Sequence, residues 1–490
     1  MKLSKLHTIR RLAYIVAVIL LACTNTTYVG IDQPPTWNSQ TNRTIIDYID
    51  QRLVGEYYWL DEVVQKSASF NRNRPWENYL SESLLRLETN ADDGYLNNRG
   101  QRILYSYIDE IKEGTRATTL GFGIELHYTI VVIDSAKGHY GFVVESIFEG
   151  SPARAAGIER GDIIISIDGK AITSSNYASL FTAIQGNTAS ALRLELKRQT
   201  TGESLTASLD KGAYDATVVV HSSIHEVEGL KIGYLVYTGF ESEYNEAMLE
   251  ALSTFAAEGV EELVLDLRCN GGGSVTSAIQ LCSAMLSAEY EGKTLCTAKR
   301  NPKNERYEIV ETFALEGTGT ALNLKRLTVI GSNYTASASE LVIMGLRGLD
   351  IPVTLIGSTT QGKNCGMDVT RAKVGSTYLE YAPVTFMCFN AKDFGAWGDG
   401  IEADINLKAS NAIGVKDDIY PLPRAAWGDA QHDIGLAAAI AHITGKSLEQ
   451  GERQALATRA AMSNGTMTID LPQPMQGIRI YHDEGIDALK

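Results

Sequence analysis

The clearest hydrophobic pattern in the chain predicts two buried strands joined by a helix. Leu327 to Ile330 and Val353 to Ile356 are short apolar runs rich in β-branched residues, which is typical of buried strands. Between them, apolar residues recur at helical spacing from Leu341 to Leu349. A helical connection favours parallel strands, whose carboxyl ends meet at one edge of the sheet. Open α/β sheets place their ligands at that edge.

Two chemically complementary residues follow these strands. Ser337 comes after the first strand and Lys363 after the second, so we expect both at the same edge. A desolvated lysine can remove the proton of a serine hydroxyl, and a serine–lysine pair is a known variant of the catalytic triad. A structural interpretation is also open, because Ser337 and Glu340 have the spacing of a helix capping box and most lysines are solvated surface charges.

A third loop supplies backbone donors. The apolar run from Val264 to Leu267 leads into Asn270 and three glycines, 271 to 273, before a helical segment from Ser274 to Leu286. Consecutive glycines let backbone N–H groups approach an oxygen closely, and a helix N-terminus adds a favourable dipole, so the loop suits a developing oxyanion. A phosphate cradle is disfavoured, since neither the Walker lysine nor a Gly-x-Gly-x-x-Gly pattern is present.

The rest of the chain divides by its patterning. Residues 42 to 88 have helical spacing, residues 115 to 209 read as short strands with one helix, and a short helix is predicted at Ile434 to Ile443. Further strands are predicted at Ile232 to Tyr237, Gly292 to Thr297, Glu308 to Phe313 and within 378 to 389. A further helix is predicted at Glu243 to Ala256. His221 and His225 are not expected to share a face, so they offer no rival base.

One segment resembles a PDZ domain. Its pieces are the turn Leu120-Gly121-Phe122-Gly123-Ile124, the run from Phe142 to Ile147, the run from Ser151 to Ile158 and the run from Arg160 to Gly169. In such domains a glycine-rich turn offers backbone N–H groups to a terminal carboxylate while a strand edge pairs with the peptide. The resemblance therefore implies peptide binding at the turn; a small β domain without a ligand is the alternative.

The motifs together resemble a protease family. Asp266-Leu-Arg-Cys-Asn-Gly-Gly-Gly273, Thr335-Ala-Ser-Ala-Ser-Glu340 and Gly362-Lys363 occur in this order, downstream of the PDZ-like segment. They are similar to the C-terminal processing, or tail-specific, serine proteases over about residues 40 to 440. The resemblance implies a multi-domain α/β fold: a crotonase/Clp-protease-like catalytic core, an inserted or upstream PDZ β domain and a small N-terminal helical domain.

The resemblance also implies roles for individual residues. By the family's pattern Ser337 is the nucleophile, Lys363 is the general base, and the backbone N–H groups of Gly272 and Ala338 form the oxyanion hole. No metal or other cofactor is implied.

This sequence departs from its relatives at the third residue that would accompany the serine and the lysine. Glu340 matches an acidic position that some members use near the dyad, and is the candidate third member. Several bacterial relatives carry a glutamine four residues after the lysine, whereas Met367 stands here.

The N-terminus has the pattern of an export signal. Basic residues precede an apolar run, Leu12 to Leu21, that is too short to span a bilayer. The run ends in Leu-Leu-Ala-Cys23, which resembles a bacterial lipobox. This implies acylation of Cys23 and a lipid-anchored protein of the bacterial cell envelope, facing the periplasm. A cleaved secretory signal with an incidental cysteine is the alternative.

The composition limits the classes of molecule that the protein is expected to bind. The 490 residues carry a net charge of -15, which argues against nucleic acid as a partner. Six cysteines in so long a chain do not suggest a disulfide framework, and their spacing is not that of a zinc site.

The sequence thus predicts an exported, lipid-anchored serine endopeptidase that takes polypeptides, captured through their C-termini by the PDZ domain. The alternative is a catalytically silent PDZ-containing binding lipoprotein on the same fold. Substrate identity and oligomeric state stay open. The predicted divisions are a signal peptide (1–22), a tether (23–40), an N-terminal helical domain (41–112), the PDZ domain (113–210), the catalytic core (211–410) and a C-terminal extension (411–490).

Overall fold

A computed structural model of the protein describes residues 39–88, 92–96, 100–111, 119–185, 189–198, 201–314, 321–407, 425–446, 468–470 and 479–482. For the last two segments it describes the backbone only. The predicted signal peptide and Cys23 lie outside the described residues. Within them, no helix is both long and apolar enough to cross a membrane.

Helices and strands alternate irregularly along the chain. The helices are α1 Gln40–Glu56, α2 Leu60–Lys66, α3 Trp76–Leu84, α4 Pro152–Ala155, α5 Tyr177–Gln185, α6 Asn245–Ala257, α7 Val275–Met285, α8 Ala338–Gly348 and α9 Ile434–Ile443. The strands are β1 Gly94–Leu96, β2 Arg102–Leu104, β3 Tyr107–Glu110, β4 Thr119–Gly121, β5 Ile124–Asp134, β6 His139–Ile147, β7 Ile163–Ile167, β8 Lys170–Ala171, β9 Ala191–Lys197, β10 Ser204–Asp210, β11 Gly212–Tyr214, β12 Val219–Val227, β13 Leu230–Tyr237, β14 Glu262–Asp266, β15 Gly272–Ser274, β16 Thr294–Arg300, β17 Ile309–Thr312, β18 Leu327–Gly331, β19 Val353–Gly357, β20 Cys365–Asp368, β21 Thr370–Val374, β22 Thr377–Ala382, β23 Val384–Asn390, β24 Ile405–Asn406, β25 Thr468–Asp470 and β26 Arg479–His482.

The predicted β-α-β unit is present and forms part of a larger sheet. Its strands β18 and β19 are parallel, with Leu327 opposite Val353, and α8 connects them. The sheet order is β12-β13-β14-β18-β19-β24, and every pair from β13 onward is parallel. The carboxyl ends of β14, β18 and β19 therefore meet at one edge. This brings together Asn270 to Gly273 (the glycine loop), Ser337, and the loop between β19 and β20 that carries Lys363 (residues 358–364, the lysine loop).

The N-terminal helices share a core with the lysine loop. Ile45, Ile49 and Leu53 recur on one face of α1 and are buried. They belong to the same hydrophobic cluster as Cys365 and Met367 of β20. Strand β3 also pairs with β22, so the N-terminal segment contributes directly to a sheet of the core.

The PDZ-like segment is a separate β layer with its own core. Its main sheet has the order β10-β9-β7-β6-β5-β25, and its buried residues include Phe122, Phe142 and Leu194. The last strand of that order comes from the far end of the chain, where Thr468 pairs opposite Val131 of β5.

A second core sheet contains another strand from the C-terminal extension. Its order is β15-β26-β20-β23-β16-β17, and β26 is parallel to both β15 and β20. The sequence pattern of this polar extension predicts no element beyond α9, so β25 and β26 are additions that only the structure reveals.

Candidate active site

Ser337 sits in a strained turn between β18 and α8. It is the residue that precedes the helix, with φ 65° and ψ -116°, and it is 1% exposed. A positive φ at a non-glycine residue costs on the order of 1–3 kcal/mol and is typical of functional turns. The Ser337 hydroxyl has no hydrogen-bond partner among the described residues. A buried hydroxyl without a partner is available for chemistry with a ligand.

Glu340 ties the serine turn to the lysine loop. One carboxylate oxygen accepts the backbone N–H groups of both Ser337 and Lys363, each at 2.8 Å, so these two nitrogens are separated by no more than twice that distance. The other oxygen accepts from Gly362 N at 2.7 Å and from the hydroxyl of Thr360 at 2.5 Å. Burial raises the pKa of Glu340, and these four hydrogen bonds oppose the shift. The residue suggested as a third catalytic member therefore accepts hydrogen bonds from the backbone of both Ser337 and Lys363.

Lys363 is completely buried. Its Nζ lies 3.4 Å from the Sδ atom of Met367 and 4.8 Å from the ring centroid of Tyr105. A thioether is only a weak hydrogen-bond acceptor. Met367, four residues after the lysine, is thus in direct contact with the amine.

Asp93 is a buried acid beside this lysine that sequence reasoning missed. It accepts hydrogen bonds from Ser106 N at 2.9 Å, from the Ser106 hydroxyl at 2.7 Å and from the Tyr57 hydroxyl at 2.8 Å. Burial raises the pKa of Asp93 to about 6, against the opposing effect of these bonds and of the charge on Lys363. No motif surrounds Asp93 in the sequence, so no local signal could have found it.

The glycine loop packs against the serine turn. Asn270 O accepts from Ala336 N and from the Ser339 hydroxyl, both at 3.1 Å. At Gly273 the φ angle is 142°, and a Cβ there would lie 2.2 Å from the carbonyl oxygen of Phe240. Only glycine therefore fits at this position.

The two predicted oxyanion donors differ in their surroundings. Ala338 is the first residue of α8, where backbone N–H groups have no acceptor within the helix. In contrast, Gly272 N already donates to Asn270 Oδ1 at 2.8 Å. Gly272 can serve a developing oxyanion only if it shares or exchanges this bond.

A buried ion network supports the strand that leads into the glycine loop. Arg268 Nε lies 2.9 Å from Asp266 Oδ2, and its terminal nitrogens reach the Asp433 carboxylate at 2.9 and 2.7 Å. Burial by itself would raise the pKa of Asp433, but the ion pair with Arg268 leaves that pKa below its ordinary value. The Tyr234 hydroxyl completes the network with a 2.7 Å bond to Asp266.

An aromatic side chain joins this network to the PDZ-like domain. The guanidinium of Arg160, which pairs with Glu145 at 2.8 Å, lies 3.5 Å from the centroid of the Trp427 ring. The guanidinium of Arg268 lies 5.4 Å from the same ring. The domain and the base of the glycine loop therefore contact one tryptophan.

The predicted carboxylate-binding turn is an ordered part of the PDZ-like domain. Leu120 is 62% exposed and Phe122 is buried. Gly123 has φ 70°, and a Cβ there would lie 2.1 Å from the Cβ of Ser151. Gly121 pairs with β11, and Ile124 begins β5. Nearer to the serine, the ring of His127 in β5 packs edge-on against Tyr334 at 5.3 Å.

The expectation that His221 and His225 do not share a face is wrong. Their Nε2 atoms lie 3.0 and 3.3 Å from one hydroxyl, that of Ser223. Both histidines belong to β12, where alternate side chains point to the same face, so residues two and four apart share that face. Burial lowers the pKa of each.

Within the described residues, no group of three or more histidine, cysteine, aspartate or glutamate side chains is arranged to hold a metal ion. The five described cysteines are free thiols.

The fold and the site define a multi-domain α/β protein with a serine and a buried lysine at the sheet edge and a β domain docked beside them. Residues 231–407 match the family model of peptidase family S41, and residues 143–198 match that of the PDZ domain. The chain thus contains a peptidase family S41 domain and a PDZ domain, and it is similar to proteins named carboxyl-terminal-processing proteases. The predicted family and fold class are thereby confirmed.

Individual relatives agree with this assignment. The chain is 25% identical over 381 residues to carboxyl-terminal-processing peptidase 2, chloroplastic, of Arabidopsis thaliana, an alignment that covers 74% of this chain and 69% of that protein. It is 28% identical over 235 residues to the carboxy-terminal processing protease CtpA of Bacillus subtilis (strain 168), covering 48% of this chain and 47% of the relative. The match to CtpA thus spans about half of either chain.

A solved structure shows the same fold. The crystal structure of a candidate S41 protease from Bacteroides fragilis NCTC 9343 superposes with a TM-score of 0.64 at 22% identity. The match covers 81% of this chain and 97% of that chain.

Proposed function

We propose that the protein is an endopeptidase that hydrolyses extended polypeptides with Ser337 as nucleophile and Lys363 as general base. The observation that carries the proposal is the Glu340 clamp. A single carboxylate oxygen holds the backbone of a strained serine, whose hydroxyl has no partner among the described residues, next to the backbone of a buried lysine. Nucleophilic catalysis by a hydroxyl needs a nearby base held in this way.

The reaction follows from the groups at this edge. The neutral amine of Lys363 takes the hydroxyl proton as Ser337 Oγ attacks the peptide carbonyl, and the carbonyl oxygen becomes an oxyanion. Backbone donation from Ala338 stabilises that charge, with Gly272 as a second donor if Asn270 releases it. The Lys363 ammonium then protonates the leaving amine. Water, activated in the same manner, hydrolyses the acyl-enzyme.

Two further residues position the dyad without a proton-transfer role. Glu340 accepts only backbone and Thr360 donors in the bonds described above, so it fixes the separation of the two loops. Met367 fills the space beside the Lys363 amine with a polarisable but weakly accepting group. A weak acceptor does little to stabilise the ammonium, which suits a lysine that must act as a base.

A serine-directed fluorophosphonate probe tests the assignment. We expect the wild type to be labelled and Ser337→Ala not to be labelled. The matched control is Ser358→Ala, because Ser358 is also buried and its hydroxyl also lacks a partner among the described residues. Labelling of Ser337→Ala at the wild-type level would refute the nucleophile. Failure of the wild type both to be labelled and to hydrolyse unfolded casein would instead indicate the silent binding protein.

We also propose that Cys23 carries the lipid that anchors the protein to the cell envelope. The proposal rests on the apolar run and lipobox-like ending alone. Cys23→Ala should move the protein from the membrane fraction to the soluble fraction. Equal membrane association of the two forms would contradict the anchor.

A further inference from the structure

The chain's own C-terminal segment fills a strand-wide slot beside the proposed dyad. Strand β26 is parallel to β15, with Ile480 opposite Gly273, and parallel to β20, with Tyr481 opposite Met367. Removing β26 would leave β15 and β20 two strand spacings apart, about 10 Å, with unpaired backbone groups along both edges. Such a slot has the width and hydrogen-bonding pattern for one extended polypeptide.

The two strands that border the slot, β15 and β20, are each connected to one part of the proposed active site. Strand β15 begins at Gly272, a proposed oxyanion donor, and β20 begins two residues after Lys363. A backbone between these walls therefore runs past the groups that would attack a peptide bond and stabilise its oxyanion. This is where a substrate of the proposed reaction must lie.

The same C-terminal segment also pairs with the PDZ domain. Residues 468–470 form an antiparallel ladder with residues 131–129 of β5. Strand β5 begins at Ile124, the last residue of the predicted carboxylate-binding turn, and apart from β25 it is the edge of its sheet. Addition of a strand to an exposed edge is the usual way in which PDZ domains hold a peptide.

One chain can occupy both places at once. Eight residues separate Asp470 from Arg479, a length that reaches at most about 30 Å when fully extended. A second contact within one chain acts at an effective concentration in the millimolar range when the connection is short. The two short ladders therefore reinforce each other.

We propose that the C-terminal segment is an internal competitor that occupies the PDZ edge with residues 468–470 and the substrate slot with residues 479–482. A substrate polypeptide binds the same two edges in the same direction, with its PDZ-bound stretch upstream of the stretch in the slot. The PDZ domain then reads an internal part of an extended chain, and no free C-terminus is required. That β26 fills the slot is read from the strand pairing, whereas the slot's role as the substrate site rests on the proposed function.

A binding experiment tests the occupancy apart from hydrolysis. In a Ser337→Ala background, we compare the full chain with a variant that ends at Met467, using a fluorescent peptide of residues 466–484 as the probe. The shortened variant should bind the peptide at least about tenfold more tightly, because it lacks the tethered competitor. Equal affinity, or no binding to the shortened variant, would overturn the proposal.

A point substitution guards against misfolding of the shortened chain. Ile480→Pro in the full chain removes a backbone donor in the middle of β26 and fixes φ, so it should also raise the affinity for the added peptide. Ile486→Pro, beyond β26, is the matched control and should bind the peptide as weakly as the unmodified chain. A probe peptide that itself carries Ile480→Pro should bind at least about tenfold more weakly than the native probe. Equal binding of the two peptides would overturn the pairing.

Hydrolysis separates the two proposals. With Ser337 intact, the shortened variant should cleave an internally quenched peptide several-fold faster than the full chain, and the native peptide of residues 466–484 should slow it. Tight binding of that peptide without any hydrolysis or probe labelling would support the occupancy and refute the endopeptidase. Hydrolysis that is unaffected by truncation and by the peptide would support the endopeptidase and refute the occupancy of the slot.

Discussion

Asp93→Asn should change how the stability of the protein depends on pH. Asp93 is fully buried and its pKa is raised to about 6 from an ordinary value of 3.8, with burial as the largest cause. The folded state therefore favours the protonated carboxyl, while the unfolded state ionises at lower pH. The stabilising contribution is complete below about pH 4 and is lost as pH rises through about 6.

The size of the effect follows from the shift. A difference of about two pKa units corresponds to about 3 kcal/mol of unfolding free energy, at 1.36 kcal/mol per unit. Asparagine is neutral at every pH and has nearly the same shape. Whatever Asp93→Asn costs through its altered hydrogen bonds to Ser106 and Tyr57 is the same at each pH. That cost cancels when the variant's difference from wild type is compared between pH 4 and pH 7.5.

Urea unfolding at several pH values gives the measurement, with tryptophan fluorescence as the probe because Trp59 and Trp76 pack in or against the same cluster as Tyr57. Relative to wild type, Asp93→Asn should gain about 2.5 kcal/mol between pH 4 and pH 7.5, because part of the unfolded-state ionisation is already complete at pH 4. Asp61→Asn is the control, since Asp61 is an exposed acid in the neighbouring helix α2. Parallel pH profiles for wild type and Asp93→Asn, within about 1 kcal/mol, would show that the buried carboxyl is not the cause.

Three further predictions concern the lysine and the domain contact. Lys363→Met keeps a long buried side chain but removes the base, so kcat for peptide hydrolysis should fall about 10²- to 10⁴-fold with little change in the urea midpoint; turnover within tenfold of wild type would refute the base. Met367→Gln offers the Lys363 amine a stronger acceptor, which favours the ammonium form. The acid limb of the pH profile of kcat/KM should therefore move to higher pH in Met367→Gln and to lower pH in Met367→Leu. Identical acid limbs in the two variants would contradict this reasoning. Trp427→Ala removes the ring that contacts Arg160 and Arg268, each contact contributing about 0.5–2 kcal/mol. Amide hydrogen exchange in residues 143–147 should therefore become faster in Trp427→Ala and stay near the wild-type rate in Trp427→Phe. Unchanged exchange in Trp427→Ala would argue against a contact between the two domains through this ring.

Several features were available from the sequence because they depend on neighbours along the chain. The apolar runs at 327–330 and 353–356 and the helical spacing between them determined a parallel unit, and parallel strands must end at the same edge. That geometry by itself predicts that Ser337 and Lys363 lie at the same edge. Glycines 271 to 273 were recognisable as a loop whose backbone N–H groups can approach an oxygen, but the close contact of Gly273 with the carbonyl of Phe240 appears only in the structure.

Only the tertiary structure decided which remote groups complete the site. Asp93 and Tyr105 reach Lys363 from the other end of the chain, and no local pattern marks a buried acid whose partners are a tyrosine and a serine. Glu340 looked like one half of a helix cap, and its second role appeared only when the loop at 360–363 folded over it.

The strand at residues 479–482 is the strongest case of tertiary control. Its segment is short and lacks the regular alternation of apolar and polar residues that predicts a half-buried strand. It is a strand because β15 and β20 offer it two unpaired backbone edges, and those edges exist only after the glycine loop and the lysine loop have been brought side by side. Backbone pairing is indifferent to side-chain pattern, so the sequence could specify the slot's walls but not what fills it.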